Sequence, residues 1–355
     1  MKTSAAKPPS PPPAGPQGLQ PGAPLGNNGE IYFTSDVAAK IKASNAGWVR
    51  LNFRLGPNFA DWTDTSAFGY SALSRYDTII ANALNNNLKV LGLLSNEAWN
   101  TTTPPPTEWQ ANNAEVAGGN GDNPYLQGFD TGAARVLIPH FAGQIDQWEV
   151  WNEPNASLTW LYPSNFAWLL RRVYIAARDS SVPNLTLVSG GLLSTHSQAN
   201  TTLTSSNTGA DYVRDTYSQG RINAGWEAIR SSYGSYPLDA IGQHLYIDQW
   251  GRTTVRRIET TVQLVHDAYV AAEGGSTSKT THVTEIGWDT GWGVNEKTQA
   301  DNLTTAYTKL KALLYTPRTY WFFLRDEPAA NLFRGLLRAD GSQKPAWSAY
   351  QKVNT

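Results

Sequence analysis

Two glutamates in matched settings carry the strongest chemical signal in the chain. The first lies in Gln147-Trp148-Glu149-Val150-Trp151-Asn152-Glu153-Pro154-Asn155, where a run suited to a buried strand ends at Asn152-Glu153 and is stopped by Pro154. Proline lacks the backbone donor that a strand needs and restricts the residue before it, so the extended segment ends there. The second lies in Thr281-His282-Val283-Thr284-Glu285-Ile286-Gly287-Trp288, another strand-like run that delivers a glutamate beside a tryptophan. A carboxylate fixed at the carboxyl end of a strand, next to an amide and flanked by indoles, suits sugar chemistry. Either glutamate alone could be a solvated turn residue. The pair says more, because a closed barrel would turn the two carboxylates toward each other.

The elements that must position them alternate strand and helix along the chain. Strands are expected over 48–55, 89–94, 147–151, 185–193, 238–246, 281–288 and 319–324, with a weak first candidate over 31–33. Helical spacing of apolar residues fills 73–84, 131–142, 164–178, 209–219, 224–233, 255–272 and 296–314; Ser35 caps a helix through 43, and Pro345 opens a closing one. Such alternation gives a parallel sheet covered by helices. Eight units favour a closed (β/α)8 barrel in the α/β class, one domain over 26–355, rather than an open doubly wound sheet. The open sheet would carry a Gly-x-Gly-x-x-Gly turn after its first strand, and none is present. Barrels of this kind work at the carboxyl ends of their strands. Those ends carry Arg50, Asn96-Glu97, Asn152-Glu153, His244 and Tyr246, Glu285 with Trp288, and Trp321.

Residues 7–24 are rich in Pro and Gly and read as a stiff polyproline-like spacer, so 1–25 is expected to be a disordered leader. A leader of this kind suggests a secreted or extracytoplasmic protein, although residues 1–6 lack the apolar core of a signal peptide and a cytoplasmic location stays open. The net charge of −1 and pI near 6.5 argue against nucleic acid or an anionic membrane as partner. Only 16% of residues are charged, against 14 Trp, 16 Tyr and 10 Phe, a balance suited to neutral, hydroxyl-rich ligands. Indole is seldom fully buried, so several tryptophans should line a cleft. Trp99, Trp109, Trp250, Trp288 and Trp292 fall in strand ends or loops and are the candidates. Cysteine is absent, which excludes disulfides and thiolate metal sites. No run of residues has metal-ligand spacing, phosphate-loop character or a Gly-x-Ser-x-Gly elbow, and no metal or cofactor is expected.

These features together resemble the retaining glycoside hydrolases of clan A. Trp151-Asn152-Glu153-Pro154 is similar to the Asn-Glu-Pro signature of families 5 and 39, and Thr284-Glu285-Ile286-Gly287-Trp288 to the clan's nucleophile segment. The resemblance covers roughly residues 47–353. It implies Glu153 after the fourth strand as acid/base and Glu285 after the seventh as nucleophile. It further implies Arg50 and Tyr246 beside Glu285, Asn152 on the sugar 2-hydroxyl, and Trp321 as the floor of the subsite for the attacked sugar. Asn96, His244 and Trp288 complete the expected substrate-binding set. His244 and Tyr246 could instead be a satisfied core pair, and Arg50 a structural ion pair. The implied activity is hydrolysis of a β-linked oligo- or polysaccharide, endo-acting on a glucan or mannan, by a monomer. An exo-acting glycosidase, a transglycosylase and a non-catalytic carbohydrate-binding barrel are the alternatives.

Overall fold

The computed structural model describes residues 17–99, 109–110, 113, 121, 123–180, 182, 184–196 and 202–354. Eight parallel strands close into a barrel in sequence order: β1 (Gly18–Gln20), β2 (Trp48–Asn52), β3 (Lys89–Leu94), β4 (Gln147–Asn152), β5 (Thr186–His196), β6 (Ala240–Ile247), β7 (Thr280–Ile286) and β8 (Arg318–Phe322). The helices begin where the chain supplies caps. Thr34 accepts from the Val37 amide ahead of Ser35–Ala43, and Asn295 from the Thr298 amide ahead of Glu296–Ala312. Pro163 and Pro345 occupy first turns, where a missing N–H costs nothing. The helix expected over 131–142 starts earlier, at Pro124–Phe129, and passes through a π turn at Asp130–Ala134 into Arg135–His140. No helix among the described residues is long and apolar enough to cross a membrane.

The first strand is not where the apolar pattern suggested. Ile31 makes only an isolated antiparallel bridge to Leu25, and β1 lies at Gly18–Gln20, inside the segment expected to be leader. Three residues are too few for an alternation to show. Tertiary contacts hold them instead. The Gln17 amide donates to Asn354 Oδ1 (2.8 Å), the Thr319 amide to Gln17 Oε1 (2.7 Å), and the Tyr350 hydroxyl to the Gly18 carbonyl (2.5 Å). Gly18 is required there, since a Cβ would sit 2.1 Å from the Tyr320 ring. The folded barrel therefore begins ahead of residue 26; the rest of the expected leader, 1–16, lies outside the described residues.

Alternation along the strands sets two layers inside the barrel. Trp48, Leu91, Val188, Ala240 and Tyr320 form a buried apolar cluster toward the amino ends of the strands. Two residues further along β2 stands Arg50, fully buried, and two residues beyond Gln147 on β4 stands Glu149, also fully buried. The upper layer is charged.

Candidate active site

Arg50 is the hub. Its Nε donates to Glu149 Oε2 (2.6 Å), and Nη1 to Glu285 Oε1 (2.6 Å) and to Gln20 Oε1 (2.6 Å). Nη2 donates to Asn152 Oδ1 (3.0 Å) and faces His244 Nε2 at 3.5 Å. Burial works against the guanidinium's charge, but the Glu149 and Glu285 carboxylates more than offset it, and its pKa is raised. Glu149 spends its other oxygen on the Gly191 amide and the Thr284 hydroxyl, both at 2.9 Å. One carboxylate thus ties β2, β4, β5 and β7 together beneath the reacting groups.

Glu285 is held from both sides, by Arg50 on Oε1 and by the Tyr246 hydroxyl on Oε2 (2.5 Å). Burial and the neighbouring Glu285 charge hold the Tyr246 phenol well above its ordinary pKa, so it stays a donor. His244 joins the two glutamates: its Nδ1 lies 2.8 Å from Glu153 Oε1 and 3.6 Å from Glu285 Oε2. Because a guanidinium only donates, the His244 nitrogen that faces Arg50 is the acceptor, and Nδ1 carries the hydrogen given to Glu153. Gly191 makes room for this ring, since a Cβ there would lie 2.1 Å from His244 Nε2.

The backbone departs from regular strand where these side chains need it. Trp151 has φ 75° and Glu153 φ 47°, a left-handed region uncommon for non-glycine residues. The turn at Trp151 breaks the alternation of β4. Val150 and Trp151 both leave the barrel interior, and Trp151 packs edge-on against Trp109 (5.3 Å between ring centres) and Tyr125 (6.1 Å). Asn152 is thereby returned to the interior beside Arg50. A register shift on β7 does the same for Thr284 and Glu285, which both face the centre although adjacent in sequence.

Six of the expected residues therefore meet in one network: Arg50, Asn152, Glu153, His244, Tyr246 and Glu285. Three do not. Trp321 is fully buried outside the barrel, its indole N–H on the Arg334 carbonyl (2.9 Å), because Tyr320 and Phe322 take the inward positions of β8. The ring beside Tyr246 is Phe322, edge-on at 6.1 Å. Trp288 is likewise fully buried, donating to the Ile247 carbonyl (3.0 Å) and packed 6.1 Å from Trp321. Asn96 begins a short turn after β3; its carbonyl accepts from Tyr125 (3.2 Å), and its side chain stays outside the network. Nor is the aromatic cleft as broad as expected. Trp109 is buried and Trp99 is packed against the core, while Trp250 and Trp292 are exposed.

Gln20, Glu149, Thr284 and Phe322 were not anticipated. Glu149 was visible in principle, as a charge inside an apolar strand that must find a buried partner. Glu153, His244 and Glu285 also offer ligand atoms within 4.8 Å of one another, a spacing that could hold a cation. Any cation there would have to share Glu285 with the Arg50 guanidinium, which already neutralises it at 2.6 Å.

A closed barrel of eight parallel strands with its charged layer at the carboxyl ends is a (β/α)8 barrel. No protein-family model matches the sequence, and no curated protein matches it. Solved structures do share the fold. A family 39 glycoside hydrolase from the gut symbiont Bacteroides cellulosilyticus WH2 is 18% identical, with a TM-score of 0.65 over 95% of this chain and 62% of that one. A glucosidase from Croceicoccus marinus is 15% identical (TM-score 0.64, covering 97% and 68%), and a monomeric β-xylosidase from Caulobacter crescentus CB15 is also 15% identical (TM-score 0.61, covering 98% and 69%). The chain thus spans less than two thirds of the length of the first of these.

Proposed function

We propose that the chain is a retaining β-glycoside hydrolase that cleaves a neutral polysaccharide, a β-glucan or mannan, at internal linkages. The observation that carries this reading is the approach of Glu153 and Glu285 at the same nitrogen of His244, with ligand atoms of all three within 4.8 Å of one another. Retaining glycosidases need two carboxyl groups about 5–5.5 Å apart, whereas inverting ones leave room for a water at about 6.5–9.5 Å. The similarity in fold to glycoside hydrolases supports the same reading.

In this mechanism Glu153 gives its proton to the glycosidic oxygen while a Glu285 oxygen attacks the anomeric carbon. The bond to the leaving sugar breaks, and a glycosyl ester forms on Glu285. Water then attacks the same carbon, Glu153 takes its proton, and the ester bond breaks to free Glu285. Arg50 and Tyr246 hold Glu285 in place through both of its oxygens. Glu153, with its side chain 21% exposed, is the more open of the pair, as a group that must meet both leaving group and water requires. Asn152 turns its carbonyl oxygen to Arg50, which frees its amide N–H groups for the sugar 2-hydroxyl. Phe322 beside Tyr246, rather than Trp321, floors the subsite of the attacked sugar. The polymer substrate and the leader-like residues 1–16 fit a secreted enzyme.

Proton NMR of the fresh products from β-glucan, mannan, xylan and galactan tests the proposal. Release of the β-anomer first, with later mutarotation, is expected from one of the polymers. Initial release of the α-anomer, or no cleavage of any β-glycoside, would overturn it.

A further inference from the structure

We propose that Trp250 and Trp292 form a stacking platform for a neutral pyranose of the glycan chain, a binding subsite separate from the acid pair. The inference rests on the sugar reading above and names where the chain runs beyond the reacting bond.

The two indoles lie 4.7 Å apart between ring centres, and each keeps half its surface in water, 50% and 51%. The same chain buries nine tryptophans to less than 5% exposure, so its core had room for indole. A tryptophan can bury on the order of 200 Å², so the pair leaves roughly that much apolar surface open at one place.

Loose loops could carry such rings by accident, but these loops are pinned. Trp250 follows β6 and Trp292 follows β7. Gln249 Nε2 donates to the Gly287 carbonyl (2.8 Å), joining the two loops. Gly293 lets them cross: a Cβ there would meet the Gln249 carbonyl at 2.5 Å and the Asp289 carbonyl at 2.7 Å. Asp289 accepts from the Gly291 amide (2.9 Å) and the Phe333 amide (3.2 Å), fixing the turn that leads into Trp292. Pre-ordered rings bind without the cost of immobilising them.

The surroundings choose the ligand. Charges on these loops are already paired: Asp248 with Arg257 (2.7 Å), Asp289 with Arg334 (3.7 Å) and Arg252 with Asp301 (3.0 Å). What is offered is therefore two π faces with no free charge, suited to the apolar face of an uncharged sugar rather than to an acidic one. The platform is also continuous with the reacting centre. Arg334 lies over the Tyr246 ring (5.1 Å) on one side and meets Asp289 on the other. Trp250 stands four residues beyond Tyr246, a Cα reach of at most about 14 Å. A glycan seated on Glu285 can extend to it.

The test uses the full chain. In a Glu285→Gln background, migration is followed in native gels cast with soluble β-glucan, galactomannan, arabinoxylan or galactan, with and without Trp250→Ala and Trp292→Ala. In the active protein, kcat/KM on the polymer is compared with kcat/KM on a 2,4-dinitrophenyl β-glycoside, which is too short to span both places. Retardation by one polymer should fall about tenfold or more in the double variant, and the polymer-to-aryl ratio should fall with it. Equal retardation of parent and double variant, or no retardation of the parent by any polymer, would overturn the platform. So would a change of sedimentation in the double variant without a change in retardation, which would make the rings a protein interface. Retardation lost with the indoles in a protein that cleaves no glycoside would keep the platform and sink the hydrolase reading.

Discussion

The lower and upper layers of the barrel interior are built from the same strands and have opposite chemistry. On β2 Trp48 sits below and Arg50 above; on β6 Ala240 sits below and His244 above; on β8 Tyr320 sits below and Phe322 above. The lower layer is an apolar plug. The upper one buries a guanidinium and two carboxylates, Glu149 and Glu285, with less than a tenth of any of them exposed. Buried ion networks of this kind are often no better for stability than well-packed apolar side chains. The upper layer is thus explained by what it holds in place, and the lower by what it holds together. Substitutions in the upper layer should cost activity as well as stability, and those in the lower layer stability alone.

The largest stability effect is expected in the upper layer. Glu149→Ala removes the buried acceptor of the Arg50 Nε, the Gly191 amide and the Thr284 hydroxyl and should cost about 3–5 kcal/mol in denaturant unfolding. Because Arg50 also carries Glu285, turnover should fall as well. Glu149→Ala with full activity and unchanged stability would mean the network is idle. In the lower layer, Leu91→Ala should cost roughly 2–5 kcal/mol by opening a cavity, with kcat per folded molecule nearly unchanged. A loss of kcat matching that of Glu149→Ala would remove the distinction between the layers.

A smaller effect should come from His282, buried at the lower end of β7. Burial, reinforced by Arg318, depresses its pKa from 6.5 to about 3. Between these values the unfolded chain binds a proton that the folded chain does not, so stability rises with pH through this window and is lost on acidification. The contribution is about 1.4 kcal/mol per pH unit for one proton. His282→Gln should flatten the slope of unfolding free energy between pH 4 and 6 by about that amount. An unchanged slope would show that the ring is protonated in the fold.

Much of this was legible from the chain because the working glutamates end strands whose limits are chemically marked. Pro154 stops β4, and Gly287 follows β7 directly. Seven strands were apparent for the same reason, and Arg50, Asn152, His244 and Tyr246 followed from their positions at strand ends. What was not legible depends on single-residue register. Trp321 and Phe322 are neighbours, and only the closed barrel decides which of them faces inward. The left-handed turn at Trp151 sends an indole outward where alternation would bring it in. β1 was missed because Gln20 and its two neighbours owe their extended form to the closing helix and to β8, not to any pattern of their own. Trp288 illustrates a further limit: indole at a strand end suits a cleft, yet the Ile247 carbonyl satisfies its N–H in the buried shell.

The central claim is that Glu285 attacks and Glu153 shuttles the proton, and azide addresses both at once. With an aryl β-glycoside, Glu285→Ala should be inactive until azide is added, and the glycosyl azide formed should have the α configuration. Glu153→Ala should still cleave activated aryl glycosides, losing roughly 10²–10⁴-fold on substrates whose leaving group needs the proton. Azide should rescue that variant with the β configuration, since it attacks the glycosyl-enzyme from the face that Glu153 serves. Opposite product configurations from the two variants are the predicted result. The same configuration from both, or rescue of neither, would contradict the assignment of the two glutamates.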